Sequence, residues 1–326
     1  MPVQRKESSV VANGHRSAIS LASRSFTEAG AFNENWHGIH QVKMFKKITD
    51  DLTDDRLASI AEDLTKISRH LLKSNNMVAG LIGEASDIRA AIQHTDNLKH
   101  HLGQGPNAGF TPPAIDFSTA PVREGWSTAS AVSFVAQTFQ TQPITHEDAP
   151  ALAVISKMLR SLFLHREIRE KGGAYGGFAV YQMDNGLFCF ASYRDPHIVN
   201  TLNVYDAAST FIVSGNYTEE DIKEAILQVC ADIDHPDTPN AAAGKAFYRK
   251  LTGLTDDIRK TFKQNLLALD REKVLDTAAG ISGRPRSACG GCGHFQQPCP
   301  ETAQEKLKKS LWHFTDKTGG KRRIQG

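Results

Sequence analysis

Three features of this 326-residue sequence predict an α/β fold. Short segments alternate apolar and polar residues, as strands with one buried face do. Longer segments repeat apolar residues every three or four positions, as amphipathic helices do. Turn and capping residues separate the two kinds of segment. The chain is long enough for one large or two medium-sized domains with a buried core.

The first hundred residues are predicted to contain a hairpin, three helices and a short strand. Residues 8–27 resemble a β-hairpin because Asn13-Gly14, a dipeptide typical of primed turns, lies between two apolar stretches. The predicted helices cover 36–48, 53–74 and 86–102, and a short buried strand covers 77–82. The apolar residues that form one stripe of the first helix, and are expected to be buried, are Trp36, Ile39, Val42, Phe45 and Ile48. Those on one face of the second helix are Leu57, Ile60, Leu64, Ile67 and Leu71.

Residues 104–122 are rich in Gly and Pro and are predicted to form a linker. The elements predicted beyond it are a strand at 131–139, a helix at 148–169, a hairpin at 178–193, and helices that begin after Asp195, Thr218 and Thr255. The segment from Thr218 to Asp221 resembles a capping box. The composition changes at Gly280, so residues 281–326 are predicted to be a divergent tail, and disorder would fit their composition.

The bulk composition excludes several classes of partner. A formal net charge of +2 at pH 7 gives no reason to expect a nucleic acid or an anionic membrane. No apolar run approaches transmembrane length. The first residues lack the apolar core of a secretory signal, and five cysteines are too few for a disulfide scaffold. The sequence therefore predicts a reducing compartment and a cytoplasmic location.

A glycine-dense turn follows the long helix and contains Gly172, Gly173 and Gly176. Arg169 and Tyr175 flank it, six positions apart. A guanidinium fork and a phenol hydroxyl can bind a peptide carbonyl or a developing oxyanion. They cannot cleave a peptide alone, because no nucleophile, base or metal cluster lies nearby in sequence. From the residues alone, Arg169 could instead complement the helix dipole, with Tyr175 packed in a hairpin.

This stretch resembles the C-terminal half of pitrilysin/insulysin-type zinc metallopeptidases, in particular the presequence-protease branch. The resemblance extends from Asn13 to about Ala279 and includes the segments 22–26 and 36–40. It implies mixed, largely antiparallel sheets backed by helices, with one domain partial and one nearly complete. The implied organisation is the end of a third peptidase-type domain at 1–103, the linker at 104–122, a fourth domain at 123–280 and the tail at 281–326.

The resemblance also implies roles for the residues of the glycine-dense turn. In that family, an R-x5-Y pair reaches across a closed chamber to the zinc centre of the N-terminal half. Arg169 would then anchor the substrate, and Tyr175 would donate to the oxyanion. Gly172, Gly173 and Gly176 would admit an extended peptide. The partners implied are the zinc-bearing N-terminal half and unstructured peptides.

The zinc-binding motif of the family, H-x-x-E-H, is absent, because none of the 13 histidines follows a glutamate. Zinc is therefore expected in the other half and not in this chain. Two functions stay open. The chain either supplies Arg169 and Tyr175 to peptide-bond hydrolysis in the other half, or is an inert fragment or pseudo-subunit that only binds a peptide or a partner.

Two further groups of residues have alternative interpretations. Arg194 either lines the chamber or pairs with Asp195 to stabilise a turn. A second group, near the C-terminus, has the ligand types of a zinc site, but a single residue between its second Cys and its His would strain a tetrahedral shell, which favours a fortuitous cluster. That group is Cys289, Cys292, His294 and Cys299.

Overall fold

The computed structural model describes residues 12–105, 122–127, 131–281, 286–292, 313–315 and 321–323. The chain divides into two compact units, each made of separate segments. Unit 1 comprises Met1–Phe45, Ile115–Ile233 and Lys260–Gly326, and unit 2 comprises Lys46–Ala114 and Asp234–Arg259. The domain boundaries implied by the resemblance, at 103 and 123, stay a prediction.

Unit 1 contains a seven-stranded sheet. Its strands are β1 (Arg123–Ser127), β2 (Phe134–Gln140), β3 (Gly176–Gln182), β4 (Leu187–Tyr193), β5 (Arg286–Cys292), β6 (His313–Thr315) and β7 (Lys321–Arg323). Their order is β3-β4-β2-β5-β1-β6-β7. Strand β1 pairs in parallel with β5 and β6, and the other neighbours pair in antiparallel fashion. This mixed, largely antiparallel sheet confirms the predicted fold class.

Eleven α-helices and one π-helix are described. In chain order the α-helices are α1 (Gly14–Ser23), α2 (Glu28–His37), α3 (Ile39–Asp50), α4 (Asp54–Leu71), α5 (Ala85–His101), α6 (Ala149–Met158), α7 (Val199–Ser214), α8 (Glu219–Ile233), α9 (Pro239–Thr252), α10 (Asp256–Leu267) and α11 (Arg271–Ile281). The π-helix, Leu159–Glu170, directly follows α6. The predicted helices at 53–74, 86–102 and 148–169 are thereby confirmed.

Helices cover both faces of the sheet in unit 1, because its central strands are apolar on both faces. Neighbouring residues along a strand point to opposite faces. Val135 and Phe139 of β2 belong to the larger core, which also includes residues of α6, the π-helix, α7, α8, α10 and α11. Phe134 and Ala136 belong to a smaller core with residues of α1. The predicted strand at 131–139 is confirmed, with observed bounds of Phe134–Gln140.

The predicted hairpin at 8–27 is wrong for the residues that the structure describes in that range. Asn13 is the N-cap of α1, and Gly14 is the first residue of that helix. A Cβ added at Gly14 would lie 2.2 Å from the ring of Phe134. The glycine therefore permits close packing of α1 on the sheet. A glycine at this position is required by that packing and not by a turn.

The predicted capping box is confirmed, and a threonine also caps the predicted helix after Thr255. The backbone N–H of Thr218 donates to Asp221 Oδ2 at 2.7 Å, and the backbone N–H of Asp221 donates to Thr218 Oγ1 at 3.2 Å. This reciprocal pair is the capping box of α8. Thr255 Oγ1 accepts from the backbone N–H of Ile258 at 3.3 Å, at the start of α10.

Unit 2 leaves much apolar surface exposed. The side chains of α4 that were predicted on one face include Leu57, Leu64, Ile67 and Leu71, and each is more than half exposed. In unit 1, Trp36 is 58% exposed, so its predicted burial is also wrong. The predicted strand at 77–82 has no regular secondary structure. None of the described helices is both long and apolar enough to cross a membrane.

Tyr205 offers a test of the larger core. Its hydroxyl donates to the carbonyl oxygen of Val135 at 3.0 Å, and its side chain is fully buried. Tyr205→Phe removes this donor and should lower the free energy of unfolding by about 1–2 kcal/mol. Urea unfolding followed by tryptophan fluorescence reports on unit 1, because all three tryptophans belong to it.

The matched control, Tyr175→Phe, changes an exposed tyrosine and should leave the free energy of unfolding unchanged. Equal effects of the two changes would contradict the assignment.

Candidate peptide-binding site

The structure brings together the two residues of the R-x5-Y pair. Arg169 lies in the last turn of the π-helix, and the centre of its guanidinium is 5.8 Å from the centroid of the Tyr175 ring. That distance is within the range of a cation–π interaction. Both side chains are exposed to solvent, and Tyr175 is 66% exposed. Their predicted roles toward a substrate stay predictions.

The π-helix fixes the direction of Arg169. Its wider turns are closed by bonds to the fifth residue back, such as the 3.0 Å bond from Lys171 N–H to the carbonyl oxygen of Arg166. Ile168 is buried against Gly177, where an added Cβ would lie 3.0 Å from the Ile168 side chain. Because Ile168 packs inward, the next residue, Arg169, faces outward. π-Helical turns are rare and are often found at functional sites.

Each of the three glycines predicted to bind substrate has a local steric role. A Cβ at Gly172 would lie 2.6 Å from the carbonyl oxygen of Ile168. Gly173 has φ +74°, a conformation that other residues rarely adopt. A Cβ at Gly176 would lie 3.0 Å from the ring of Phe178. The tight reversal of the chain after the π-helix thus explains why glycine occupies these three positions. Their contact with a peptide stays a prediction.

A second tyrosine, whose contact with Tyr175 was not predicted from the sequence, borders Tyr175. The backbone N–H of Tyr175 donates to the carbonyl oxygen of Tyr193 at 3.1 Å. The two rings meet edge to face, with centroids 5.7 Å apart. The Tyr193 hydroxyl donates to the carbonyl oxygen of Ala12 at 3.2 Å. Antiparallel pairing of β3 with β4 places Tyr193 opposite Gly176, and this register was the signal that could have revealed the contact.

Arg194 follows Tyr193 and does not pair with Asp195. The Asp195 carboxylate accepts from the backbone N–H of His197 at 2.8 Å and from the Thr201 hydroxyl at 2.7 Å. The predicted Arg194–Asp195 pair is therefore wrong. Arg194 is exposed, and its guanidinium is centred 5.4 Å from the Tyr193 ring.

Three arginines near the two tyrosines contact aromatic rings and not carboxylates. Arg169, Arg194 and Arg160 each lie over an aromatic ring, and Arg160 is 5.4 Å from the ring of Phe178. Within the described part of the chain, none of the three pairs with a carboxylate. Glu167 differs, since it bonds to Lys171 and Arg166, and these bonds lower the pKa of its carboxyl group.

His15 lies behind the tyrosines. Its ring is 5.0 Å from that of Tyr193 and 6.1 Å from that of Phe178. Its Nδ1 atom is buried and has no hydrogen-bond partner among the described residues. Burial, with a smaller contribution from Arg16, lowers the pKa of the imidazole. His15 is therefore held in its neutral form behind the cationic surface.

The described residues include no group of three or more His, Cys, Asp or Glu that could hold a metal ion. Cys289 and Cys292 lie on β5, whereas His294 and Cys299 of the candidate cluster lie outside the described residues. That cluster stays a prediction. Among the described residues, Arg169 and Tyr175 present a guanidinium and a phenol hydroxyl, both of which can donate hydrogen bonds.

Two family models match this chain. One, the PreP C-terminal domain, matches residues 129–283, which include Arg169, Tyr175, Tyr193 and Arg194. The other, a peptidase-associated region, matches residues 2–48. Together they match more than half of the chain. Over both matched regions the chain is similar to presequence-protease-type peptidases, which confirms the predicted resemblance.

Relatives that carry this name are much longer than the chain. The mitochondrial presequence protease of Danio rerio is 32% identical over 312 residues, which cover 89% of this chain and 30% of the relative. That of Saccharomyces cerevisiae is 29% identical over 291 residues, which cover 84% of this chain and 29% of the relative. The chain therefore spans about 30% of the length of these presequence proteases.

A solved structure supports the fold alone. A protease from Helicobacter pylori matches with a TM-score of 0.50 and 16% sequence identity, over 64% of this chain and 53% of that one. At this identity the likeness extends to the architecture of strands and helices and not to the site.

The predicted cytoplasmic location is wrong. The presequence proteases that match the chain in fish, mouse and yeast are all named as mitochondrial. The prediction rested on the missing secretory signal and the few cysteines, and neither feature distinguishes the cytoplasm from a mitochondrion. The comparison points to the mitochondrion instead.

Gly173 offers a test of the turn. Gly173→Ala forces a side chain into a left-handed backbone conformation and should lower the free energy of unfolding by about 1 kcal/mol. The control, Gly280→Ala, lies in α11, where an added Cβ meets nothing within 4 Å, and should not destabilise the protein. Urea unfolding of both variants checks this expectation, and equal destabilisation would contradict it.

His15 predicts a pH dependence of stability. Because its folded-state pKa is lowered, the folded protein resists protonation that the unfolded chain accepts below pH ~6.5. The free energy of unfolding should therefore fall as the pH decreases from about 7 to about 5. His15→Gln should flatten this dependence. An unchanged pH profile in His15→Gln would refute the prediction.

Proposed function

We propose that this chain is the peptide-binding C-terminal part of a presequence-protease-like metallopeptidase. It holds unstructured peptides at Arg169 and Tyr175 and supplies these two side chains to hydrolysis at the zinc centre of the other half. The observation that carries the proposal is the pairing of an exposed guanidinium, free of a carboxylate among the described residues, with an exposed phenol at the family's R-x5-Y spacing.

The chemistry of the two groups supports peptide binding. A guanidinium presents a planar set of N–H donors that fits a carboxylate or two carbonyl oxygens. Because the Arg169 side chain already lies over the Tyr175 ring, it has less conformational freedom to lose when a peptide binds. The Tyr175 hydroxyl supplies one further donor, which suits a carbonyl oxygen or an oxyanion. Glycines at 172, 173 and 176 leave little side-chain bulk beside them.

The residues of this chain do not fit the zinc ion of the parent enzyme. The sequence has no H-x-x-E-H motif, and the described residues form no cluster of metal ligands. In this proposal, zinc and the hydrolytic step belong to the N-terminal half, which is either the rest of a longer polypeptide or a separate subunit. In this proposal, residues 1–103 close a third domain and 123–280 form the fourth.

The exposed apolar face of α4 in unit 2 supports the need for a partner. Leu57, Leu64, Ile67 and Leu71 share this face, and each is more than half exposed. Contiguous apolar surface of this kind commonly marks an interface with another protein or domain. A second candidate function, an inert fragment or pseudo-subunit that only binds peptides or a partner, is favoured by the missing zinc motif.

Measuring peptide affinity distinguishes the two peptide-binding functions from a purely structural role of Arg169. A fluorescein-labelled unstructured peptide should bind the chain, and Arg169→Ala should weaken binding about tenfold through the loss of a charge-assisted hydrogen bond. The control is Arg166→Ala on the same helix, because Arg166 already bonds to Glu167. Fluorescence polarisation measures both affinities. Equal affinities of wild type and Arg169→Ala would refute the proposed site.

Hydrolysis distinguishes the two functions from each other. The chain is mixed with a zinc-loaded N-terminal half of a presequence protease, and peptide cleavage is followed. Activity in the mixture that falls about a hundredfold in Tyr175→Phe would support the supply of an oxyanion donor. Peptide binding without hydrolysis would favour the inert binding protein.

A further inference from the structure

A second arginine–tyrosine pair, Tyr193 and Arg194, adjoins the first. We propose that Arg194 is a further substrate-binding residue, which recognises a carboxylate of the bound peptide and gives the site a preference for peptides that carry one. This inference rests on the proposed function, because it concerns the same peptide at the same surface. It adds a residue and a ligand chemistry that the R-x5-Y pair does not include.

The backbone of Arg194 is the first observation. Its φ is +51°, and no other non-glycine residue in the described part of the chain has a positive φ. Arginine is disfavoured in this left-handed region, where glycine or asparagine fits better. Backbone strain of this kind persists where the surrounding structure imposes it, and it is concentrated at functional sites.

The neighbouring residue shows how the fold maintains this conformation. Asp195 and Ser133 exchange two backbone hydrogen bonds, each 2.8 Å long. The Asp195 side chain, 1% exposed, accepts from His197 N–H and from the Thr201 hydroxyl. These bonds form a rigid corner from which the Arg194 side chain projects into solvent.

The guanidinium of Arg194 pairs with no carboxylate among the described residues. Asp195 is bonded elsewhere, and no described carboxylate contacts the guanidinium. It lies instead 5.4 Å from the Tyr193 ring. That ring is itself positioned by the bond of its hydroxyl to Ala12 and by the edge of His15. The contact with the ring uses none of the guanidinium N–H donors in a hydrogen bond to a carboxylate, so they stay available for a bidentate carboxylate.

The geometry of the whole surface places Arg194 beside the same peptide. The rings of Tyr175 and Tyr193 meet at 5.7 Å, with Arg169 over one ring and Arg194 over the other. Two guanidiniums therefore flank one pair of tyrosines. An extended peptide that reaches Arg169 and Tyr175 passes this second cation, and an acidic side chain or a terminal carboxylate satisfies it.

The test compares three fluorescein-labelled peptides of otherwise identical, unstructured sequence. The first has one central Asp and an amidated C-terminus, the second has Asn in that position, and the third has Asn with a free C-terminal carboxylate. Wild type should bind a carboxylate peptide about tenfold more tightly than the Asn amide. The preferred peptide identifies whether a side chain or the C-terminus is recognised.

Two variants separate recognition from structure. Arg194→Gly removes the guanidinium and suits the left-handed backbone, so it should abolish the carboxylate preference while the melting temperature stays equal or rises. Arg194→Lys keeps the charge without the planar fork and should lose most of the preference. A lower melting temperature in Arg194→Gly would indicate a structural role and overturn the inference.

The remaining outcomes distinguish this inference from the proposed function. If wild type binds all three peptides equally, while Arg169→Ala weakens binding, the proposed function stands and the role of Arg194 is refuted. A preference that persists in Arg194→Gly has the same meaning. If wild type binds none of the peptides, both the proposed function and this inference fail.

Discussion

The antiparallel pairing of β3 with β4 is the constraint on which the candidate site depends. Its register joins Gly176 to Tyr193 at one end and Gln182 to Leu187 at the other. The turn between them requires Gly186, whose φ is +62°. A shift of one residue would exchange the two faces of each strand and would separate Tyr175 from Tyr193. The larger core opposes such a shift, because Phe188 and Phe190 would leave it.

The sequence was most informative where local chemistry and tertiary structure agree. The hairpin of β3 and β4, the long helix before it and the capping box at Thr218 all follow from patterns within a few residues. The meeting of Arg169 with Tyr175 also follows, since only a tight turn separates them. The contact of Tyr193 with Tyr175 was not predicted, because it depends on strand register, which a linear reading of the sequence does not give.

The errors arose where one pattern has two physical causes. Asn13-Gly14 was interpreted as a turn, but its glycine permits α1 to pack against Phe134. The leucines of α4 have the spacing of a buried face, yet Leu57 and Leu64 are exposed. Periodicity shows that a helix has an apolar side and does not show what covers it. The divergent tail at 281–326 stays a prediction, and within it Arg286–Cys292 forms a strand inside the sheet.

The π-helix has a consequence for how this surface tolerates sequence change. A turn closed by bonds to the fifth residue back contains one residue more than an α-helical turn. Deleting one residue from such a turn would leave an α-helical turn, so the residues that follow would keep their direction. The same deletion in the preceding α-helix, Ala149–Met158, has no wide turn to absorb it and would rotate Ile168 and Arg169 by about 100° relative to the start of that helix. The π-helical segment is therefore where this long helix should best tolerate a change in length.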